Sequence, residues 1–214
     1  MSEMKQRYDI SALVDELEPV RPLHMSRAIL AVAAILASAA ALIILSKGMR
    51  ADVMAGNPDP MFLMRAGLLL LLGGGCGWAV LGMASPSVGK PAQAWKMAIA
   101  AAALVPLAAL VVAMTGQVNV AMANMRYGMD CMLFSGIGGL ATAIPMVLWL
   151  RQGAPTSPER AGWLTGVASG GLGAFAYGLH CPFNDLVYIG VWYTLAVGIC
   201  ALLGRLIVPR LIRW

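Results

Sequence analysis

The fold is decided by two short stretches, Gly178-Leu179-His180-Cys181-Pro182-Phe183-Asn184-Asp185 and Met129-Asp130-Cys131-Met132. Each places a cysteine beside a potential metal ligand, at one end of a long apolar segment. The segments 131–150 and 161–181 are each about one bilayer thickness of helix, and the polar turn 151–160 joins them. Antiparallel arms of nearly equal length return the chain to the same depth. The thiols of Cys131 and Cys181 are therefore predicted at the same membrane face.

The composition indicates a membrane protein. The 214 residues are 60% hydrophobic and 12% charged, with a mean hydropathy of +0.77, which excludes an ordinary soluble domain. Because the apolar runs are continuous rather than alternating, they predict helices, with Pro106 and Pro145 kinking two of them. The sequence thus predicts an all-α membrane protein, a six-transmembrane-helix bundle with a short cytoplasmic N-terminal tail. Its six apolar stretches are 28–46, 62–83, 97–114, 130–150, 161–180 and 187–208.

The distribution of Lys and Arg predicts the orientation. With the N-terminus in the cytoplasm, eleven of these residues fall on the cytoplasmic side and four on the other. The positive-inside rule then places both termini in the cytoplasm, and Cys131 and Cys181 on the extracytoplasmic side, where disulfides are permitted. The same rule accounts for the net charge of +5, so we expect contact with membrane lipid and no direct nucleic-acid binding.

The N-terminal tail, residues 1–27, is distinct from the transmembrane domain, residues 28–214. Within it Ile10, Leu13, Val14 and Leu17 recur at the spacing of one helical face, and residues 9–18 carry acidic but no basic side chains. A short helix of this kind is marginal alone in water, which favours folding against a partner with a basic surface. A solvated tail, or a helix lying along the membrane, is the alternative.

The remaining features favour structural roles. The loop 47–61 carries nothing chemically specific, and Arg65, just inside the second span, is expected to snorkel to the interface. Cys76 and Cys200 fall near mid-bilayer and are expected to behave as small apolar residues. Small residues at every fourth position predict close contact between the fourth and fifth spans: Ser135, Gly139 and Ala143 in one, and Gly162, Gly166, Gly170, Ala174 and Gly178 in the other.

Two neighbouring thiols support two kinds of chemistry. They can oxidise to a disulfide, or they can bind a soft metal as thiolates together with a neutral imidazole. His180, Asp130 and Asp185 are available as further ligands or as groups that tune the thiols. Cys131, Cys181 and His180 are the candidate metal ligands, for a transient soft-metal ion rather than an obligatory cofactor. The alternative is a pair of unrelated interfacial cysteines.

Four strings together resemble the NrsF family of bacterial membrane anti-sigma factors: Tyr127-Gly128-Met129-Asp130-Cys131, Gly178-Leu179-His180-Cys181-Pro182, Val191-Trp192-Tyr193-Thr194 and, in the tail, Leu17-Glu18-Pro19-Val20-Arg21. The resemblance implies a multi-pass protein of the bacterial inner membrane. Its cytoplasmic tail would sequester an extracytoplasmic-function sigma factor. The partner-binding residues would be Leu13 and Leu17, from the amphipathic pattern, and Val20, from the matching tail string. Cys131 and Cys181, with His180 and Asp130 beside them, would sense metal or oxidative stress and trigger release.

Two other functions compete with this interpretation. A rhomboid-type intramembrane serine protease would use Ser135 and His180, but Leu133 stands where that family has glycine, and His180 lies at the tip of its helix. A small metal transporter would need liganding residues near mid-membrane, where Cys76 and Cys200 are the exceptions in otherwise apolar spans. We expect no enzymatic activity, because no catalytic constellation is evident.

Overall fold

The computed structural model describes residues 24–84, 94–114, 125–153 and 155–212, and within these ranges it contains helices and turns but no strand. The predicted all-α class is confirmed for this part of the chain. The predicted tail helix and the predicted partner-binding residues Leu13, Leu17 and Val20 lie outside the described residues. The helices are α1 (Met25–Lys47), α2 (Ala51–Met54), α3 (Pro60–Met83), α4 (Ala94–Met114), α5 (Met125–Gln152), α6 (Pro158–Gly178) and α7 (Leu186–Ile212).

Local sequence signals fix where two of the helices begin. Asp59 caps α3 by accepting from the backbone N–H of Met61 at 2.7 Å, and Pro60 occupies the first turn. Asp185 caps α7 by accepting from the N–H of Tyr188 at 2.9 Å. A π-helical turn, Ile189–Tyr193, then interrupts α7. Each cap fixes the point where a loop passes into a helix, at the end of the bundle that holds Cys131 and Cys181. We call this end the thiol end.

Helix α6 is the centre of the bundle, because sixteen of its twenty-one residues are buried. It packs against α3, α5 and α7. A Cβ at Gly162 would lie 2.7 Å from the carbonyl oxygen of Gly204, and one at Gly166 would overlap the backbone of Cys200. Gly162 and Gly166 of the small-residue stripe therefore face α7. The predicted close contact between α5 and α6 is also present, since a Cβ at Gly139 of the α5 stripe would lie 3.0 Å from the carbonyl oxygen of Ser169. The contact with α5 is made by Gly173, where a Cβ would overlap the carbonyl of Ser135.

Five of the described helices are long and apolar enough to cross a membrane: α1, α3, α4, α5 and α7. The fifth predicted stretch forms α6, whose glycines and hydroxyl residues lower its hydropathy. Its burial explains how that composition is tolerated, since the surrounding helices cover it. The predicted count of six spans is therefore matched at five positions and stays a prediction for α6.

Helix α1 lies at the edge of the bundle. Only Ala28 and Ile43 are buried among its 23 residues. Ile43 belongs to the apolar cluster at the thiol end, whereas Ala28 belongs to a small cluster with Trp149 at the opposite end. Val32, Leu36 and Ala40, along the middle of the helix, are partly buried against the two larger apolar clusters. The helix that follows the tail is thus packed along its length on one side only.

Candidate functional site

The two arms bring Cys131 and Cys181 into one buried cluster, as their equal lengths predict. Cys131 lies in the second turn of α5, and Cys181 lies in the loop between α6 and α7. Their exposed fractions are 0% and 1%, and both are free thiols. Tyr177, Tyr188 and Trp192 pack in the same cluster. The site is therefore a closed thiol pair beneath one end of the bundle.

Three buried hydroxyl groups surround the thiols. Ser135, one helical turn from Cys131, and Tyr193 lie beside the Cys131 thiol, while Tyr193 and Tyr188 lie beside the Cys181 thiol. None of the three hydroxyl oxygens has a hydrogen-bond partner among the described residues. An unpaired buried polar group costs about 1–3 kcal/mol. The three hydroxyl groups can therefore form hydrogen bonds at the thiols when metal binding or oxidation makes the thiols more polar.

His180 and Asp130 point away from the thiols, towards the end of α1. The His180 Nδ1 atom lies 2.9 Å from the carbonyl oxygen of Gly48, and its ring packs edge-on against Tyr177. Asp130 forms a partly exposed ion pair with Lys47 at 3.3 Å. In the part of the chain that the structure describes, no three His, Cys, Asp or Glu side chains are grouped to hold a metal ion. The predicted ligand set of Cys131, Cys181 and His180 is thus not assembled in this conformation.

Two arginines hold the loop that carries Cys181. Arg65 donates to the carbonyl oxygens of Phe183 at 2.8 Å, Gly178 at 3.1 Å and Cys181 at 3.3 Å. Arg50 donates to the same Cys181 carbonyl and to the side-chain oxygen of Asn184 at 3.1 Å. Hydrogen bonds from a charged donor are among the stronger ones in proteins. We call Arg50 and Arg65 the arginine clamp.

The clamp overturns two expectations. The loop 47–61 does carry a specific group, because Arg50 is only 6% exposed, and Arg65 is 2% exposed rather than snorkelling to the interface. Arg50 is held in place by a two-point ion pair with Asp52, at 2.9 and 2.8 Å. That guanidinium holds the pKa of the Asp52 carboxyl well below its usual range, so Asp52 stays ionised at physiological pH. An arginine inside an apolar span was the available signal, since such residues are usually functional.

The C-terminal end of α1 contacts the thiol site at three successive points. Lys47 pairs with Asp130, the Gly48 carbonyl meets His180, and Arg50 reaches Cys181. Gly48 makes this turn with a φ of +86°, a backbone conformation that favours glycine. The residues next to the cysteines therefore connect the thiol loop to α1.

The proposed protease pair is not formed. The Ser135 hydroxyl has no hydrogen-bond partner in the described ranges, and the described contacts of His180 are with Gly48 and Tyr177. A nucleophilic serine needs a base within hydrogen-bond reach. This geometry offers no support for a serine protease.

Comparison with known proteins identifies the family. The family described as "Negative regulator of sigma F" (NrsF) matches residues 13–214. A protein of Caulobacter vibrioides, named anti-sigma-F factor NrsF, is 40% identical over 79 residues, which cover 35% of this chain and 37% of that protein. A protein of Azospira oryzae, named probable anti-sigma-F factor NrsF, is 26% identical over 158 residues, covering 72% of this chain and 73% of that protein. No solved structure matches the chain.

Proposed function

Since this chain belongs to the NrsF family of negative regulators of sigma F, a family of anti-sigma factors, we propose that its tail sequesters an extracytoplasmic-function sigma factor. The family match over residues 13–214 carries this proposal, because it includes residues 13–27 of the tail as well as the helical bundle. The acidic residues 9–18 suit a basic partner surface, and Leu13, Leu17 and Val20 would supply its apolar contacts. Sequestration by the tail requires no enzymatic step.

The bundle would hold the chain in the bacterial inner membrane with both termini in the cytoplasm. Five helices have the length and apolarity of spans, and α6 would cross as a sixth inside their ring. The excess of Lys and Arg at one end supports this orientation. The thiol end would then face the extracytoplasmic side, where oxidants and metals arrive first.

The thiol pair would be the sensor. Oxidation to a disulfide, or binding of a soft metal by both thiolates, would pull Cys131 and Cys181 together. Because the clamp holds the Cys181 carbonyl, a movement of Cys181 would disturb the hydrogen bonds from Arg50 and Arg65. A movement of Cys131 would change its position relative to the buried hydroxyls of Ser135 and Tyr193. The signal must favour one packing state over the other to be transmitted.

Helix α1 gives the shortest route from the thiols to the tail. Its C-terminal end contacts the Cys181 loop through Arg50, and its N-terminal end leads directly into the tail. Because only two of its residues are buried, a shift of α1 would disturb fewer buried contacts than a shift of α6. A change in the Cys181 loop would thus reposition α1 and loosen the tail's hold on its partner.

A reporter for sigma-factor activity tests both halves of the proposal. Leu17→Asp should release the partner constitutively, because it places a charge on the apolar face of the tail. Cys131→Ser and Cys181→Ser should abolish induction by an oxidant or a soft metal while repression persists. Cys76→Ser and Cys200→Ser are the matched controls, since these buried thiols lie outside the thiol cluster. Full induction in the Cys131 and Cys181 variants would reject the sensor, and full repression with Leu17→Asp would reject this mode of tail binding.

A further inference from the structure

An apolar cavity of about 470 Å³ lies between α3, α4, α6 and α7. Its volume falls in the range of about 300–1,000 Å³ that is typical of small-molecule sites. Met64 and Leu202 line it while remaining 46% and 58% exposed, so the cavity is open at the side of the bundle. Its wall on α7 extends from Leu186 to Arg205, which is about 28 Å along the helix. That length is close to the hydrocarbon thickness of a bilayer.

One end of the cavity has a buried donor in need of an acceptor. Arg65 lines it, and the Nε atom of Arg65 has no hydrogen-bond partner within the described ranges. The two other nitrogens of this guanidinium are occupied by backbone carbonyls. No carboxylate among the described residues lies within ion-pair distance of Arg65. A cation that is 2% exposed thus has an Nε–H without a partner and no counter-charge among the described residues.

The charges of the cavity wall select the kind of ligand. Two arginines, Arg65 and Arg205, are among the described residues that line the cavity, and none of those lining residues is Asp or Glu. A buried charge is costly unless it is paired, and arginine pairs especially well with phosphate and carboxylate groups. A neutral ligand such as a quinone would accept the hydrogen bond but leave the charge of Arg65 unbalanced. An acidic head group on an apolar chain satisfies both requirements.

We propose that this cavity binds one anionic membrane phospholipid, whose phosphate accepts from Arg65 and whose acyl chain lies along the groove between α4 and α7. The proposal rests on the membrane placement given above. It also assigns the lipid a regulatory effect. Because Arg65 holds the Cys181 carbonyl and its guanidinium lies 5.0 Å from the ring of Tyr193, a bound phosphate fixes the arginine that fixes the thiol loop.

Native mass spectrometry of the full chain in mild detergent tests the proposal. Phosphatidylglycerol and diacylglycerol, a neutral lipid that lacks the phosphate, are offered as competing probes. The wild type should retain one phosphatidylglycerol with a preference of at least about tenfold, the factor expected for one charge-assisted hydrogen bond. Gly198→Leu should abolish that preference, because Gly198 lines the cavity and nothing lies within 4 Å of a Cβ placed there.

Gly136→Leu is the matched control. A Cβ at Gly136 also has nothing within 4 Å, but this residue does not line the cavity. It should keep the wild-type preference. Equal retention of both lipids by the wild type, unchanged retention in Gly198→Leu, or a neutral quinone found in the cavity would each overturn the proposal. Sigma-factor binding by the same preparation is measured in parallel, so that failure of the lipid site and failure of the anti-sigma role are seen separately.

Discussion

Removal of Arg50 should expose the Cys181 thiol. Arg50 donates two hydrogen bonds to the loop, one to the Cys181 carbonyl and one to Asn184, and its side chain is buried. Each such bond from a charged donor contributes about 1.5–3 kcal/mol. Because Arg65 still holds the Cys181 carbonyl, we take the lower end of this range for each bond, which gives about 3 kcal/mol for the two bonds of Arg50 together. Arg50→Met should then raise the population of the open loop about 100-fold.

The assay is the rate at which a maleimide labels Cys181 in the full chain, with the other three cysteines replaced by serine. A thiol that is 1% exposed reacts through transient opening, so the rate follows the opening equilibrium. Lys47→Met is the control, because it removes a nearby cation whose pair with Asp130 is partly exposed. Such pairs contribute about 0–1 kcal/mol, so labelling should rise less than about fivefold. If the two substitutions have equal effects, the clamp does not hold the loop.

Two further predictions concern the packing of the bundle, and both are measured as the midpoint of thermal unfolding in detergent. Gly173→Ala should destabilise the chain by about 1–3 kcal/mol, because the new methyl group would overlap the carbonyl of Ser135. Gly136→Ala has open space and a better helix propensity, so its midpoint should be unchanged or slightly higher; an equal loss in both variants would contradict the packing of α6 on α5. Trp149→Phe should cost about 0.5–1.5 kcal/mol, since it removes the 2.9 Å hydrogen bond to the Leu81 carbonyl. A midpoint that stays at the wild-type value would show that this bond does not contribute.

The convergence of the two thiols was predictable because it follows from arm length alone. Helices of similar length joined by a short turn must return the chain to the same depth. The partner of the small-residue stripe on α6 was not predictable in this way. Glycines at every fourth position show that a helix has a close neighbour, but any of the surrounding helices could supply it. The packing of Gly162 and Gly166 against Gly204 of α7 depends on how the helices are arranged around α6 in three dimensions.

The arginine clamp was missed for a different reason. Arg50 lies in a loop that has no motif, and it holds a second loop more than a hundred residues away through the Cys181 carbonyl and the Asn184 side chain. Arg65 likewise donates to backbone carbonyls of that loop. Carbonyl acceptors leave no signature in a sequence, and the Asp52 carboxylate two residues from Arg50 indicates only a local ion pair. Arg65 was visible as a charge inside a span, and its position five residues into α3 made snorkelling an adequate explanation. The structure shows that Arg65 instead binds backbone carbonyls at the end of α6 and in the loop that follows, where the last carbonyls of a helix have no partner within the helix.

Cys131 and Cys181 are proposed to respond as one unit. Cells carrying Cys76→Ser and Cys200→Ser are treated with increasing oxidant, and the remaining thiols are alkylated after denaturation and counted by intact mass. Both thiols should be lost together, with no species that retains one, at the dose that activates the sigma-factor reporter. Activation of the reporter while both thiols remain free would contradict a sensor made of this pair.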